Sequence, residues 1–120
     1  MSTITLTPTE KTIRQHLLTA ATQAIPTLAE ALSAAPILRK EATPHYSLLY
    51  LEPKLLPPSL PRVPLEVRFF GPWGAPIQCL LHVLDGTLHM IEIFCADSAP
   101  LPEAIILQAT QIIDYTKEIQ

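Results

Sequence analysis

The sequence predicts an α+β domain in which N-terminal helices lead into a four-stranded antiparallel meander and then a C-terminal helix. Three observations lead there. A helix-start signal at residues 7–10 precedes apolar residues at helical spacing, period-two alternation sets in from residue 46, and Asp85-Gly86 separates two alternating runs. At 120 residues the chain fits one domain, residues 1–120, around one core.

The first helix starts at Thr7-Pro8-Thr9-Glu10, where Thr7 suits the cap, Pro8 the first helical position and Glu10 the reciprocal bond of a capping box. Ile13, Leu17, Ala20, Ala21 and Ala24 follow on one face, with Arg14, Gln15 and Gln23 left to water, until Pro26 ends or kinks the helix. Thr27 to Ala35 repeats the pattern with Leu28, Ala31 and Leu32, and Pro36 stops it.

Tyr46 to Leu51 has no polar face and reads as the first strand, buried on most of both sides. Five prolines between Pro53 and Pro64 remove backbone donors and favour extended polyproline geometry, so no interior strand runs there. Pro58-Ser59-Leu60-Pro61 followed by Arg62-Val63-Pro64 has the spacing of a proline-rich ligand, but five prolines in a connecting segment produce that spacing readily, and a rigid, solvent-facing connection that fixes the entry to the second strand is the favoured reading. Leu65 to Phe70 is the second strand, ending in the Gly71-Pro72-Trp73-Gly74 turn. Ile77 to Leu84 and Thr87 to Ala96 are the third and fourth, joined by Asp85-Gly86, the pair favoured in a two-residue type I′ hairpin.

That hairpin sets Leu84 against Thr87, Val83 against Leu88 and His82 against His89. Strict alternation would then bury Glu92 beside Leu88, Met90 and Phe94, where an unpaired carboxylate is costly. A bulge near His89 or Met90 instead turns Ile91 and Ile93 inward and Glu92 outward. Beyond Asp97-Ser98-Ala99-Pro100, residues Ile105, Ile106, Ala109, Ile112 and Ile113 keep helical spacing after a first turn at Pro102-Glu103. The β-branched content through Thr116 leaves a further strand as the alternative.

Composition excludes several classes of function. Lys plus Arg number 8 against 11 Asp plus Glu, a formal charge of −3, so the chain lacks the basic field that collects phosphates on a nucleic-acid binder. Charged residues make up 16% where soluble domains carry about 25%, which leaves apolar surface for a partner to cover. Glu30, Pro26 and Pro36 interrupt the most apolar stretch well short of a membrane span. Residues 1–5 have no basic region followed by an apolar run, and Cys79 and Cys95 form neither a metal pair nor a disulfide framework; a reducing cytoplasm is expected.

No catalytic or metal-binding set emerges. His82 and His89 meet across the hairpin but lack a third ligand, since Cys79, three residues from His82, points to the other face. A Cys95, His89 and Asp97 triad fails on distance, because Cys95 and His89 lie roughly 20 Å apart at about 3.3 Å per residue. Asp85 and Glu92 are too widely separated for paired hydrolytic carboxylates. The Gly71–Gly74 turn lacks the glycines and lysine of a phosphate loop. Trp73 in that turn either folds back over the core or anchors a partner.

Leu6-Thr7-Pro8-x-Glu10, then Arg62-Val63-Pro64-Leu65-Glu66-Val67, then Gly71-Pro72-x-Gly74-x-Pro76-Ile77-x-x-Leu80-Leu81-His82-Val83-x-Asp85-Gly86-x-Leu88-x-x-Ile91-Glu92-Ile93 resembles a group of small bacterial proteins. Some members of that group are similar to immunity proteins of polymorphic toxin systems, including contact-dependent growth inhibition. The resemblance implies a cytoplasmic, non-enzymatic protein without cofactor or metal that binds a cognate toxin domain one-to-one and blocks its active or substrate-binding surface. If the toxin is a nuclease, the acids Glu52, Glu66, Asp85, Glu92 and Asp97 would imitate phosphate, with Trp73 as an aromatic anchor. Two other readings stay open: a small-molecule binder or minor enzyme with a pocket between helices and sheet, and a self-associating structural protein.

Overall fold

The computed structural model describes residues 4–103 and 109–117. Its elements, in chain order, are α1 (Pro8–Ala24), α2 (Pro26–Ala34), β1 (Ile37–Thr43), β2 (Tyr46–Leu51), β3 (Leu65–Phe70), β4 (Ile77–Leu84), β5 (Thr87–Cys95) and β6 (Ala109–Asp114), the last running into a 3₁₀ turn at Tyr115–Lys117. The six strands form one antiparallel sheet in the order β1-β2-β5-β4-β3-β6.

The capping box at the start of α1 is complete. Thr7 Oγ1 accepts the Glu10 N–H at 3.1 Å and Glu10 Oε1 accepts the Thr7 N–H at 2.9 Å, which satisfies donors that the first helical turn leaves unpaired. Ile25 breaks from helical geometry, with φ −141°, and Pro26 opens α2, where its missing N–H costs nothing. Ile13, Leu17, Ala20 and Ala21 of α1 and Leu28, Ala29 and Leu32 of α2 are buried against the sheet.

Period-two alternation sends Leu49, Leu51, Leu65, Val67, Phe69, Ile77, Cys79, Leu81, Val83, Ile91, Ile93 and Cys95 into the same core. Asp85 (φ 52°) and Gly86 (φ 75°) both adopt the left-handed conformation that the tight hairpin requires. The bulge expected on sequence grounds is present: Val83 pairs with Leu88 and His82 with Met90, so His89 is the extra residue. His82 therefore does not face His89. Ile91 and Ile93 turn inward and Glu92 turns to the opposite face.

The expected four strands plus C-terminal helix are corrected to six strands, with no C-terminal helix among the described residues. Ile37–Thr43 adds an edge strand before Tyr46–Leu51, which is thus the second strand. Ala109–Asp114 is the opposite edge, paired with β3 from Phe70↔Ala109 to Leu65↔Asp114. Residues 104–108, including the expected helical positions Ile105 and Ile106, lie outside the described residues. The arrangement is also not a simple meander, because β2 docks on β5 rather than beside β3. The proline-rich connection makes that possible by crossing the hairpin end of the sheet. Leu56 N–H donates to the Gly86 carbonyl at 2.9 Å, Leu88 N–H to Lys54 at 2.9 Å and Val83 N–H to Arg62 at 2.7 Å.

Candidate partner-binding surface

Both helices share one face of the sheet, and no helix among the described residues covers the other. The register aligns the second face into rows. One runs Glu41, Leu48, Glu92, Leu80, Glu66, Ile113 across all six strands; beside it run Thr43, Tyr46, Phe94, Gln78, Arg68, Gln111; and Arg39, Tyr50, Met90, His82 form a third. An aromatic and aliphatic band of Tyr46, Leu48, Tyr50, Leu80, Met90 and Phe94 thus crosses β2, β5 and β4, each residue half-buried by its neighbours or, for Tyr46, 40% exposed. At one end, His45, Tyr46, Leu48, Glu92 and Phe94 line a shallow concavity of about 320 Å³.

The polar groups on this face are held in place. His82 Nε2 and Glu92 Oε1 lie 2.9 Å apart, and the Arg39 guanidinium sits 4.0 Å above the Tyr50 ring while pairing with Glu41 at 2.9 Å. Glu66, 2% exposed, accepts from Arg68 Nε and Gln78 Nε2 at 2.8 Å each and from the Tyr115 hydroxyl at 2.7 Å. Burial alone would raise its pKa. The three donors and the Arg68 charge outweigh that and hold the carboxyl below the usual carboxylate range.

The proposed contact residues divide accordingly. Glu66 is not a surface acid: its carboxylate is buried and fully engaged. Trp73 folds back, half-buried against the core, and is not a projecting anchor. Asp85 is exposed at the hairpin tip, whereas Asp97 is exposed beyond the other end of β5, its Oδ1 accepting the Ala99 N–H at 3.0 Å. Nine strand residues separate those two acids, roughly 30 Å at about 3.3 Å per residue, so they do not share one small contact patch. Glu52 pairs with Lys54 at 3.1 Å. Only Glu92 lies within the aromatic band.

A second polar centre was not legible as a site. Glu10, 4% exposed, accepts from Lys40 Nζ at 2.6 Å through the oxygen that caps Thr7, and its other oxygen accepts the Ser47 hydroxyl at 2.5 Å. Burial pushes this carboxyl up. The bonds from Lys40, Ser47 and Thr7, with the ammonium charge, bring it below the ordinary value. The cluster pins α1 to β1 and β2 and lines a cleft of about 440 Å³ whose walls include Pro8, Tyr46, Leu101 and Pro102. The capping box marked Glu10, but Lys40 lies on a strand whose charged sequence concealed it.

The cysteines are poor nucleophiles. Burial raises the Cys79 thiol well above its ordinary pKa, with the Glu66 and Glu92 charges adding to the effect, and burial followed by Asp97 raises Cys95. Among the described residues no group of three His, Cys, Asp or Glu side chains is placed to hold a metal ion, and no helix is long and apolar enough to cross a membrane. Comparison with known proteins finds no matching family model, no matching curated protein and no matching solved structure.

Proposed function

We propose that this chain is an immunity-type binding protein that engages a cognate toxin domain one-to-one through the uncovered face of its sheet. The observation that carries this reading is the band of Tyr46, Leu48, Tyr50, Leu80, Met90 and Phe94, which no helix covers among the described residues. Six strands at about 4.8 Å spacing span about 29 Å, and five residues along each span about 17 Å, so the face projects roughly 500 Å². A standard interface buries about 800 Å² per partner, so this face supplies more than half of one. Aromatic residues and methionine make up most of the band, with Glu92 the one acid among them and Arg39 and Glu41 at its β1 side, and enriched aromatics and methionine are what such interfaces carry at their core.

The test is growth rescue. The polypeptide encoded in the reading frame adjoining this one is expected to arrest growth, and this protein to relieve the arrest. Tyr46→Lys and Phe94→Lys should abolish relief while leaving the thermal midpoint near wild type. An adjoining product without toxicity, or full relief by both variants, would defeat the proposal.

One observation favours a second reading, a small-molecule binder: the cleft beside Glu10, Lys40 and Tyr46 is large enough for a compact metabolite. A thermal-shift screen separates the two. A metabolite that stabilises wild type but not Tyr46→Lys, in a protein that captures no polypeptide, would favour the cleft.

A further inference from the structure

The two margins of the sheet differ sharply in chemistry. At the β1 margin, Arg39, Lys40 and Glu41 place charges on both faces, and a register irregularity between Ile37 and Arg39 displaces Leu38. Charges and bulges are the devices that keep an edge strand from pairing with another chain. The β6 margin has no bulge, and its one charge, Asp114, stands at the C-terminal end of the strand. Ala109, Thr110, Gln111, Ile112 and Ile113 are uncharged, contain no proline and follow regular pairing with β3; the first four are exposed, Ile112 at 45%.

The ladder fixes which main-chain groups face outward. Tyr115 N–H donates to the Pro64 carbonyl at 3.0 Å, and Tyr115 stands opposite Pro64 as the next step after Asp114↔Leu65. Bonded pairs alternate in an antiparallel ladder, so Ala109, Gln111 and Ile113 turn their N–H and C=O groups toward β3. Thr110 and Ile112 turn theirs away, and no strand among the described residues lies beyond them.

We infer that the β6 edge is a self-association surface, on which Ala109–Ile113 of a second copy pairs antiparallel about a twofold axis through Gln111. In that register Thr110 of each copy stands opposite Ile112 of the other, so the outward N–H and C=O groups of both residues bond reciprocally. The two β-branched side chains meet on the same face, Ile112 loses its exposure, and no charge opposes a like charge. Ala109 meets Ile113 on the other face. Because such an axis stands perpendicular to the sheet, the uncovered faces of the two copies lie on the same side and form one continuous surface. This inference does not depend on the identity of any toxin, and its test involves none.

Sedimentation of the full chain tests it. Wild type should change from monomer to twice that mass as concentration rises through the micromolar range. Gln111→Lys and Gln111→Glu should each remain monomeric at the highest concentration reached, because the axis sets each new charge against its own copy. An equimolar mixture of the two variants should recover the doubled mass. Hydrogen exchange on the wild type provides a measurement that needs no variant: the Thr110 and Ile112 amides should gain protection as concentration rises. A wild type monomeric throughout, with those amides unprotected, overturns the inference. So does a dimer that both variants retain, or a mixture that stays monomeric.

Discussion

Lys40→Met removes the one cation that pairs, among the described residues, with a carboxylate that is 4% exposed, without removing the volume of the lysine stem. Breaking a buried ion pair by deleting one partner costs about 3–5 kcal/mol when the remaining charge has no other support. Here Glu10 keeps its bonds from Thr7 N–H and Ser47, and the Lys40 side chain is 21% exposed. The expected cost is therefore smaller, about 2–3 kcal/mol. In urea unfolding with a slope of about 1.5 kcal/mol/M, the midpoint should fall by roughly 1.3–2 M. The pH dependence has a definite sign. In wild type the folded carboxyl lies below its ordinary pKa of 4.5, so its stabilisation is fully present above 4.5 and is lost as pH falls through the folded value. The penalty in Lys40→Met exists only while Glu10 is ionised, so the gap between the two proteins should narrow on acidification. A loss below about 0.5 kcal/mol at neutral pH, or a gap that does not change with pH, would refute the argument that Lys40 neutralises a buried charge.

Two further outcomes follow from the geometry. Gly86→Ala adds a Cβ that meets nothing within 4 Å, but at φ 75° it should cost about 1–2 kcal/mol from backbone strain alone, read as a lower denaturation midpoint with an unchanged slope. Because burial raises both thiols, Cys79 and Cys95 should react with an aromatic disulfide at least about 100-fold more slowly in the folded protein than in urea; rapid labelling of the native chain would contradict their placement.

What the sequence revealed depended on whether local and tertiary forces agree. At Thr7-Pro8-x-Glu10 and at Asp85-Gly86, side-chain chemistry alone dictates a backbone conformation, and both were legible. The bulge at His89 was equally accessible, because only an extra residue reconciles a buried Ile91 with an outward Glu92. The two edge strands were hidden for opposite reasons. In β1, Arg39, Lys40 and Glu41 carry charges on both faces, and their partners, Tyr50 for Arg39 and Glu10 for Lys40, lie far away in sequence. In β6, apolar residues on both faces imitate helical spacing, and only pairing with β3 decides for strand.

The candidate contact residues were less legible than the fold, since exposure is a tertiary property. Glu66 and Arg68 stand two apart on one strand face, which hinted at an internal pair. Gln78 and Tyr115, however, reach Glu66 only once the sheet is assembled, and together with Arg68 they turn an expected surface acid into a buried one. Trp73 illustrates the reverse ambiguity: an aromatic residue in a turn projects or folds back according to the core beneath it, and here it folds back. The aromatic band depends on the docking of β2 against β5, a long-range pairing that alternation in separate strands does not specify.

The proposed binding across the sheet face that no helix covers among the described residues can be tested by titration calorimetry of the polypeptide encoded by the adjoining reading frame against three forms of this protein. The wild type should bind one-to-one. Phe94→Lys, within the aromatic band of that face, should weaken binding by at least about 30-fold, a loss of about 2 kcal/mol at a buried aromatic contact. Thr22→Lys, exposed on the helical side, should bind as wild type does. Equal affinity for Phe94→Lys and wild type, or loss of binding in Thr22→Lys alone, would contradict the assignment of the partner surface to this face.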